Sequence, residues 1–495
     1  MPRVWRWVGT VCVLLLAAAA LRVPLLDRRP MHADEAILAD KFGTLLATRA
    51  YPYNPREYHG PVLAYLAWIT AHLAGRTTYA ALTETTLRIA PAIAGILVAI
   101  SPLVLAPEIG ATAALAAAAL LAVSPVMVYY SRDFIPEMPL ALWTALLLAA
   151  LMRRSAGSWL MAGAAAALMC ATKETAVLAL GSAGIAYAAA FRPRRLNYRA
   201  AAVFCAALVT GISVLVLPPW KWGILPEALR AYLGRGLSGG LHAHPWYSYF
   251  RWLLGWHYSI SEAPVLLLAA AGLLAARRNQ EPAIRFLSFY AVLLFVFYSA
   301  IPYKTPWCAV SLLYALALLA GVAVAALASR WRAATRVVLG VVLGIVILGL
   351  GVEAWVASVP YATDLRNPWV YAQTGLGVFT IRDQVGAYAR AAPERQNVAI
   401  DIYTRDNLWP LPWYLRRFPN VRWWRQVVIA GPAAPIVLVS PALEADLVRK
   451  VYEGPPPGER ELYMNLFPTY VELRPQVEIR GYVAKSLWDR QQRDR

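Results

Sequence analysis

Residues 111–152 read ATAALAAAALLAVSPVMVYYSRDFIPEMPLALWTALLLAALM, two apolar runs separated by one short polar stretch. The runs are Ala111–Val128 and Pro136–Met152, and each has the roughly 17–25 residues that a helix needs to cross a bilayer. Backbone polar groups in lipid must pair within their own segment, so a helix is the expected form of each run. The stretch therefore predicts two membrane-spanning helices whose charged connection lies at one membrane surface.

The same pattern extends over most of the chain. Of its 495 residues, 59% are hydrophobic and 15% are charged, whereas soluble proteins carry nearer a quarter charged residues. This composition excludes a soluble enzyme and a disordered scaffold. We predict an α-helical polytopic membrane protein with about eleven transmembrane helices. The predicted spans are Trp7–Leu26, Leu87–Ala106, Ala111–Val128, Pro136–Met152, Trp159–Ala171, Thr175–Phe191, Ala200–Leu217, Pro264–Ala276, Phe286–Ile301, Pro306–Ala328 and Val337–Ala357.

Arginine clusters between the apolar runs set the expected orientation. The formal net charge is +19, but the arginines form short clusters between spans, as the positive-inside rule predicts, so we expect no nucleic acid partner. With a cytoplasmic N-terminus, pairs such as Arg153 with Arg154 and Arg277 with Arg278 face the cytoplasm only if the short run His59–Gly75 does not cross. The rule thus predicts an interfacial helix there, in the first outer loop.

This orientation places the polar residues that are capable of chemistry on the outer face. All six histidines and most carboxylates of the membrane half fall in outward-facing segments, including Glu57 and His257. We predict a multi-pass protein of the cytoplasmic (inner) membrane, surrounded by membrane lipids, whose active site faces the periplasm or the exterior.

The composition becomes polar after Ala357. We predict that residues 1–358 form the transmembrane domain and that residues 359–495 form a small extracytoplasmic α/β domain, for which about 135 residues suffice. The patterns predict buried strands over residues 398–403 and 435–440, and amphipathic helices over residues 379–391 and 442–451.

Aromatic residues in this tail have two interpretations. Trp409, Trp413 and Tyr414 either stack on sugar faces or pack inside the small domain.

The strongest local signal is Met31-His-Ala-Asp-Glu-Ala36, a few residues beyond the first span. Neither folding nor solubility requires two adjacent acids at a membrane surface, and one of them is suited to act as a general base. The alternative interpretation is a solvated helix start, with Asp34 as N-cap and Glu35 in the first turn.

Two further motifs place charges between spans. Arg132, Asp133 and Glu137 lie where a bilayer-facing helix avoids charge, which favours a functional site; the alternative is that they snorkel from a helix end. Lys173 and Glu174 lie at the turn between two short spans, where they either bind substrate or neutralise each other.

Lys304, in Pro302-Tyr-Lys-Thr-Pro-Trp307, is the only charge for many residues either way. It either pairs with a lipid phosphate or anchors its helix at the headgroups.

The long loop Pro218–Ala263 adds His242, His244 and Glu262. Its histidines are read as metal ligands, as hydrogen-bond partners of a hydroxyl-rich substrate, or as part of an interfacial aromatic belt. Together the motifs indicate an outward cavity suited to a substrate that is half sugar and half lipid phosphate.

In their order along the chain, these motifs resemble the GT-C glycosyltransferases, specifically the protein-mannosyltransferase and aminoarabinose-transferase group that uses polyprenyl-phosphate sugars. The chain looks most similar to a bacterial and archaeal flippase-activity-associated subgroup. The motifs that carry the resemblance are His32-Ala-Asp-Glu35, His59-Gly-Pro61, Arg88 with Gly95, Ser124-Pro125, Ser131-Arg-Asp-Phe-Ile-Pro-Glu137, Lys173-Glu174, His244-Pro245, Glu262, Tyr303-Lys-Thr-Pro-Trp307, Asn367-Pro-Trp-Val-Tyr-Ala-Gln373 and Trp409-Pro-Leu-Pro-Trp-Tyr-Leu415.

The resemblance implies a glycosyltransferase in which Asp34 is the catalytic acid–base residue, with Glu35 as second choice. It also implies that the outer cavity holds the sugar and phosphate of the donor and that the tail shapes access of the acceptor. The residues expected to bind the donor sugar or phosphate are His59, Arg132, Asp133, Glu137, Lys173, Glu174, His244, Glu262, Tyr303 and Lys304.

The expected reaction is direct displacement at the anomeric carbon by an acceptor hydroxyl of a protein, lipid or glycan, with inversion. The leaving polyprenyl phosphate needs cations; Lys304 and Arg132 are the first candidates, followed by His59 and Lys173. No cofactor is required, although a carboxylate pair is able to hold a divalent cation.

The alternative function is a flippase-associated or transport component for lipid-linked sugars without transferase activity. That function predicts ionisable or broken segments near the bilayer midplane.

Overall fold

The computed structural model describes residues 2–56, 59–192, 197–217, 219–238, 240–255, 260–279, 281–330, 332–456, 458 and 460–493. Glu57 and His257, which we placed on the outer face, lie outside these residues. The chain divides into two compact units. Unit 1 comprises Met1–Leu26, Thr44–Thr77 and Thr83–Tyr371, and unit 2 comprises Asp27–Gly43, Thr78–Leu82 and Ala372–Arg495.

Every apolar run that the sequence marks as a span falls on helix in the structure. The helices up to Ser358 are α1 (Pro2–Arg22), α2 (Ala33–Thr48), α3 (Val62–Leu73), α4 (Glu84–Ile100), α5 (Ala106–Ile109), α6 (Ala111–Val123), α7 (Pro125–Ser131), α8 (Glu137–Arg153), α9 (Ala156–Cys170), α10 (Ala176–Phe191), α11 (Tyr198–Leu215), α12 (Leu225–Ser238), α13 (Ser248–Leu253), α14 (Ala263–Arg277), α15 (Pro282–Ala300), α16 (Ala309–Arg330) and α17 (Ala333–Ser358).

Several of these helices are long and apolar enough to cross a membrane. By length and composition, the described residues contain five such helices, or six if the bent pair α6 and α7 forms one span. Shorter apolar helices cover other predicted spans and also the run at His59–Gly75, where α3 lies. The number of eleven spans and the interfacial position of α3 therefore stay predictions.

Pro125 breaks the run Ala111–Val128 into α6 and α7, which differ in direction by 58°. Because proline lacks an N–H, the carbonyl oxygen of Leu121 has no helical donor four residues later. Arg22, fully buried at the end of α1, supplies one: its guanidinium donates to the carbonyl oxygens of Leu121 (2.9 Å) and Ala122 (2.7 Å).

Glu262 caps the other side of this break. Its Oε1 accepts hydrogen bonds from the Ser124 hydroxyl (2.7 Å) and from the Val126 N–H (2.9 Å). Because the Val126 N–H bonds Glu262, it does not make the helical hydrogen bond to the Ala122 carbonyl four residues earlier. The Ala122 carbonyl oxygen accepts from Arg22 instead. We call this arrangement of Arg22, Glu262 and the Ser124–Pro125 junction the helix break.

The segment after α17 packs back onto unit 1. The hydroxyls of Tyr129 and Tyr130 donate to the carbonyl oxygens of Ala362 and Trp369, both at 2.9 Å. The side-chain amide of Asn367 bonds the Ala357 carbonyl. These bonds explain why unit 1 extends to Tyr371. The predicted domain boundary at 358/359 coincides with the end of α17 and stays a prediction.

Unit 2 contains a five-stranded sheet in the order β2-β1-β3-β7-β4 and a two-stranded hairpin of β5 and β6. Strand β1 is parallel to β2 and β3, pairing Ile400 with Val421 and with Ile436, whereas β7 is antiparallel to β3 and β4. The elements are α18 (Gly377–Ala391), β1 (Ile400–Tyr403), α19 (Leu411–Leu415), β2 (Val421–Trp424), β3 (Ile436–Val439), α20 (Glu444–Val448), β4 (Tyr463–Asn465), β5 (Glu472–Arg474), β6 (Val477–Glu478), β7 (Arg480–Ala484) and α21 (Lys485–Arg493).

The predicted elements of this tail are confirmed. Strands β1 and β3 are buried along their whole length, as their continuous apolar runs indicated. Helices α18 and α20 lie within or across the two predicted helical segments. The tail is thus a small α/β fold, and it shares its unit with the Asp27–Gly43 segment that carries the acid pair.

Candidate functional site

The acid pair in unit 2 lies at the start of α2, and its two carboxylates have different environments. His32 precedes the helix, and its Nδ1 accepts a hydrogen bond from the Asp34 N–H (3.1 Å), which assigns the lone pair, not the proton, to that nitrogen. Glu35 reaches back and accepts the His32 N–H (2.8 Å), half of a capping box. The helix is therefore capped by His32 and Glu35, not by Asp34 as the alternative interpretation supposed.

Exposure separates the two acids further. The side chain of Asp34 is 50% exposed, whereas Glu35 is 0% exposed. The Asp34 carboxylate lies 3.9 Å from His32 Nδ1. Asp34 is consequently the acid whose oxygens remain open to an incoming hydroxyl group.

The tail fixes this segment in place. The Met31 N–H donates to the Tyr414 hydroxyl (2.8 Å), and the Gln373 side-chain amide donates to the Pro30 carbonyl (3.1 Å). Both tail residues belong to motifs that carried the resemblance. They support the acid pair from a distance of several hundred residues along the chain.

The tail aromatics pack inside unit 2. Trp413 is fully buried and lies 3.6 Å beneath the guanidinium carbon of Arg416, and it meets Tyr79 edge-on. Tyr414 is also buried. Of the two interpretations of these aromatics, packing is therefore correct for Trp413 and Tyr414.

In unit 1, the His59-Gly-Pro61 motif lies against the turn between α9 and α10. A side chain on Gly60 would overlap the Ala171 carbonyl oxygen, so only glycine allows this approach. The approach brings His59 Nδ1 within 2.6 Å of the Glu174 carboxylate. Burial would raise the pKa of Glu174, but the His59 ring outweighs it and lowers that pKa.

Lys173, one residue before Glu174, forms a buried ion pair with Glu137. Glu137 is the first residue of α8, where a carboxylate is favoured by the helix dipole. Burial alone would lower the pKa of Lys173, but the Glu137 carboxylate outweighs it and raises that pKa. The second oxygen of Glu137 has no hydrogen-bond partner among the described residues. The structure thus joins two motifs that lie apart in sequence into one charged cluster.

Arg132 and Glu262 both have structural roles. The Arg132 guanidinium donates to the carbonyl oxygens of Leu21, Arg22 and Leu25, which close the end of α1. Asp133, beside it, is buried. Glu262 caps α7 at the helix break, and burial raises its pKa to about 8. These contacts do not include a ligand, so donor binding by Arg132, Asp133 and Glu262 stays a prediction.

A third cluster forms where residues 240–244 pair with residues 302–304. The Ala243 and Tyr303 backbones form a bridge, and the Lys304 ammonium donates to the carbonyl oxygens of His244 and Ile301. Burial lowers the pKa of Lys304, and it lowers the pKa of His244 together with the charges of His242 and Lys304. Lys304 is thus held by backbone carbonyls, which the sequence did not indicate.

Tyr371 completes this cluster and was missed by the sequence analysis. Its hydroxyl lies 2.6 Å from His242 Nδ1 and 3.4 Å from His244 Nε2, and its ring meets Trp307 edge-on. The only sequence signal was its place in the Asn367–Gln373 motif. We had assigned that motif to the tail domain.

Tyr232 of α12 is a further titratable residue that the sequence analysis did not single out. Burial raises the pKa of Tyr232, and Cys308, Lys173, Glu174 and Tyr303 make smaller electrostatic contributions to that pKa.

No group of three or more His, Cys, Asp or Glu side chains with metal-binding geometry occurs in the part of the chain that the structure describes. The expectation that no cofactor is required, although a carboxylate pair is able to hold a divalent cation, stays a prediction.

Comparisons with known proteins agree with this architecture. Residues 58–222 match the family model of dolichyl-phosphate-mannose-protein mannosyltransferases. ArnT from Cupriavidus metallidurans, solved in the apo state, covers 97% of this chain and 98% of its own, with TM-score 0.67 and 17% identity. ArnT bound to undecaprenyl phosphate matches over the same shares with TM-score 0.65 and 17% identity.

An oligosaccharyltransferase from Archaeoglobus fulgidus, tethered with an acceptor peptide, is also similar. The match covers 84% of this chain and 63% of the oligosaccharyltransferase chain, with TM-score 0.53 and 13% identity. No curated protein matches the chain. The helical fold with a small C-terminal sheet domain is confirmed, and the matching family model and the Archaeoglobus structure are described as a mannosyltransferase and an oligosaccharyltransferase. The flippase-associated subgroup stays a prediction.

Proposed function

We propose that this protein is a membrane glycosyltransferase that moves a sugar from a polyprenyl-phosphate donor to an acceptor hydroxyl on the outer face of the cytoplasmic membrane. The fold supports the class of enzyme, and the ArnT structure with undecaprenyl phosphate supports the class of donor. The observation that carries the mechanism is the contrast between exposed Asp34 and buried, cap-forming Glu35.

In the proposed reaction, the acceptor oxygen attacks the anomeric carbon while the bond from that carbon to the phosphate oxygen breaks. The acceptor proton passes to the Asp34 carboxylate, and the polyprenyl phosphate leaves with the electron pair of the broken bond. One displacement inverts the anomeric configuration. Glu35 is unsuited to this step because its oxygen accepts the His32 N–H and the residue is fully buried.

The leaving phosphate accumulates negative charge and is stabilised by preorganised cations. We propose His59 first, because its side chain is 30% exposed beside Glu174, and Lys173 second. This reverses the ranking drawn from sequence, since the donors of Arg132 and Lys304 bond backbone carbonyls. Phosphate departure needs no proton, so no general acid is assigned.

One observation favours the transport alternative. That function predicts a broken helix with buried ionisable groups, and the helix break has both. However, Arg22 and Glu262 satisfy the backbone groups that the break exposes. The backbone groups at the break therefore already have partners in this conformation and do not require a transported substrate. We retain transferase activity as the proposal.

The experiment compares purified wild type with Asp34→Asn and Glu35→Gln on a panel of polyprenyl-phosphate sugars, with membrane extract as acceptor source. Released polyprenyl phosphate is the measured product. We expect Asp34→Asn to lower turnover by about 10²–10⁴-fold, as for loss of a general base. Glu35→Gln keeps an oxygen for the His32 N–H and is the matched control, with at most about tenfold loss.

Two results would contradict the proposal. Asp34→Asn with wild-type turnover would remove Asp34 as the base. Wild type that binds donor but never releases polyprenyl phosphate would favour the flippase-associated role.

A further inference from the structure

Helix α12 (Leu225–Ser238), in the long loop between α11 and α13, has three distinct faces. Leu229, Leu233 and Leu237 recur every four residues and therefore share one face. They are 51%, 50% and 74% exposed, respectively. This leucine stripe is an apolar surface that no other described part of the chain buries.

The second face of α12 packs inward. The Tyr303 N–H donates to the Gly236 carbonyl (3.4 Å), and a Cβ atom on Gly236 would lie 3.7 Å from the Ile301 side chain. This face therefore contacts the rest of unit 1. It borders the leucine stripe, because Gly236 and Leu229 lie about 20° apart around the helix, but the leucines themselves remain exposed.

The third face borders a cationic groove with a volume of about 680 Å³. We call it the arginine groove; its lining residues are Arg56, Glu227, Arg230, Ala231, Gly234 and Arg235. Three arginines against one glutamate give it a formal charge of +2. At 100° per residue, Arg230 and Leu237, seven residues apart, lie about 20° from each other around the helix, so the groove adjoins the leucine stripe.

The internal bonds of the groove leave much of its charge available. Arg56 pairs with Glu227, and Arg235 donates to the Arg56 carbonyl. Arg230 is exposed, and it has no hydrogen bond or ion pair within the described residues. An exposed ion pair such as Arg56 with Glu227 contributes little to stability. The arrangement is therefore better explained by a ligand than by folding.

We propose that the arginine groove binds the phosphate headgroup of an anionic phospholipid in the outer leaflet, with the acyl chains along the leucine stripe. Guanidinium groups bind phosphate through paired, charge-assisted hydrogen bonds. An amphipathic helix with cationic and apolar faces side by side lies in the headgroup region of a bilayer. The proposal does not depend on transferase activity, because it concerns a lipid that is not consumed.

The test measures lipid binding by the full-length protein in detergent. The probes are phosphatidylglycerol, phosphatidylcholine and glycerol 1-phosphate, which separate an anionic lipid, a zwitterionic lipid and a free phosphate. We expect phosphatidylglycerol to bind at least about tenfold more tightly than either other probe. Arg56→Gln, Arg230→Gln and Arg235→Gln should each weaken it by roughly tenfold or less, as for one basic residue near an anionic surface.

Matched controls distinguish this site from general charge. Arg277→Gln and Arg278→Gln remove arginines at the far end of α14 and should leave binding unchanged. Glu227→Gln should strengthen phosphatidylglycerol binding, because it removes the one acidic side chain of the groove. The triple change of Leu229, Leu233 and Leu237 to serine should weaken the lipid but not glycerol 1-phosphate.

Three outcomes would overturn the proposal. They are equal loss in the groove and control variants, glycerol 1-phosphate binding as tightly as phosphatidylglycerol, and weaker lipid binding in Glu227→Gln. Because the experiment measures lipid binding, its result does not depend on whether the protein shows transferase activity.

Discussion

The arginines at the helix break and those in the arginine groove use the same side chain in opposite ways. Arg22 is fully buried, and its guanidinium bonds the carbonyls of Leu121 and Ala122. Arg56, Arg230 and Arg235 are exposed and line a cavity. An ionisable residue between apolar runs is by default a candidate for function, but the comparison shows that burial and existing partners decide whether its donors are available.

The largest expected effect on stability tests the buried member of this comparison. Arg22→Met leaves two buried carbonyl oxygens without donors, at about 1–3 kcal/mol each, so we expect a loss of about 2–6 kcal/mol. The measurement is the thermal midpoint in detergent and the yield of folded protein. The matched contrast is Arg230→Gln, for which we expect a change within about 0.5 kcal/mol. Equal losses of stability from Arg22→Met and Arg230→Gln would contradict the distinction between a buried structural arginine and an exposed one.

A second prediction concerns the approach of the His59 motif to the Ala171 turn. Gly60→Ala places a methyl group on a backbone carbonyl, which cannot rotate away, so the loop must shift and separate His59 from Glu174. We expect turnover to fall by about 10²-fold, as for a misplacement near the reacting atoms. Gly75→Ala, where no atom lies near the added methyl but the backbone φ is +65°, is the control for glycine strain alone. A Gly60→Ala enzyme with normal turnover would exclude the phosphate-binding role of His59.

A third prediction uses the close contact beside the helix break. A methyl group on Gly95 would overlap the Ser131 hydroxyl, which itself accepts a hydrogen bond from Arg22 (3.2 Å). Gly95→Ala should lower the thermal midpoint, and adding Ser131→Ala should restore part of it, with a coupling of about 0.5–3 kcal/mol. Additive losses in the double variant would mean that another neighbour causes the overlap.

The last prediction is a pH dependence of stability at the helix break. Burial raises the pKa of Glu262 from 4.5 to about 8, with a further contribution from Glu353. The folded state therefore holds the proton in a range where the unfolded state has released it. Stability should fall as pH rises from about 4.5 to about 8 and level off above that.

Glu262→Gln should remove this slope while keeping an oxygen for Ser124 and Val126. Thermal midpoints of wild type and Glu262→Gln between pH 5 and pH 8 provide the measurement. Parallel curves for the two proteins would show that other groups cause the slope.

Much of the fold was predictable because hydrophobic periodicity is a local property. The apolar runs fall on helices, and the strands at Ile400–Tyr403 and Ile436–Val439 lie where continuous apolar residues placed them. The helix break was not predicted: Pro125 was visible in the run Ala111–Val128, but the run was taken as one span.

The contacts of the candidate site residues were less predictable than the fold. The polar motifs at His59–Pro61 and Lys173–Glu174 lie between helices of the structure and Met31–Ala36 spans the start of α2, and their part in a functional site stays a prediction. The different roles of Asp34, which is exposed, and Glu35, which caps the helix, were not evident from the sequence, because the two residues are adjacent and chemically alike. Tyr371 was assigned to the tail, although its hydroxyl bonds His242 in unit 1.

The sequence by itself determined that this chain is a helical membrane protein with polar motifs between its spans and a small α/β tail. Chain-local properties, namely the length of apolar runs and the spacing of charges, suffice for that. Only the tertiary structure decided that Glu35 caps while Asp34 is exposed and that Arg22 bonds the carbonyl of Ala122. Those roles depend on burial and on partners such as Tyr414 for Met31, 383 residues away along the chain. Such partners meet only when the chain is folded.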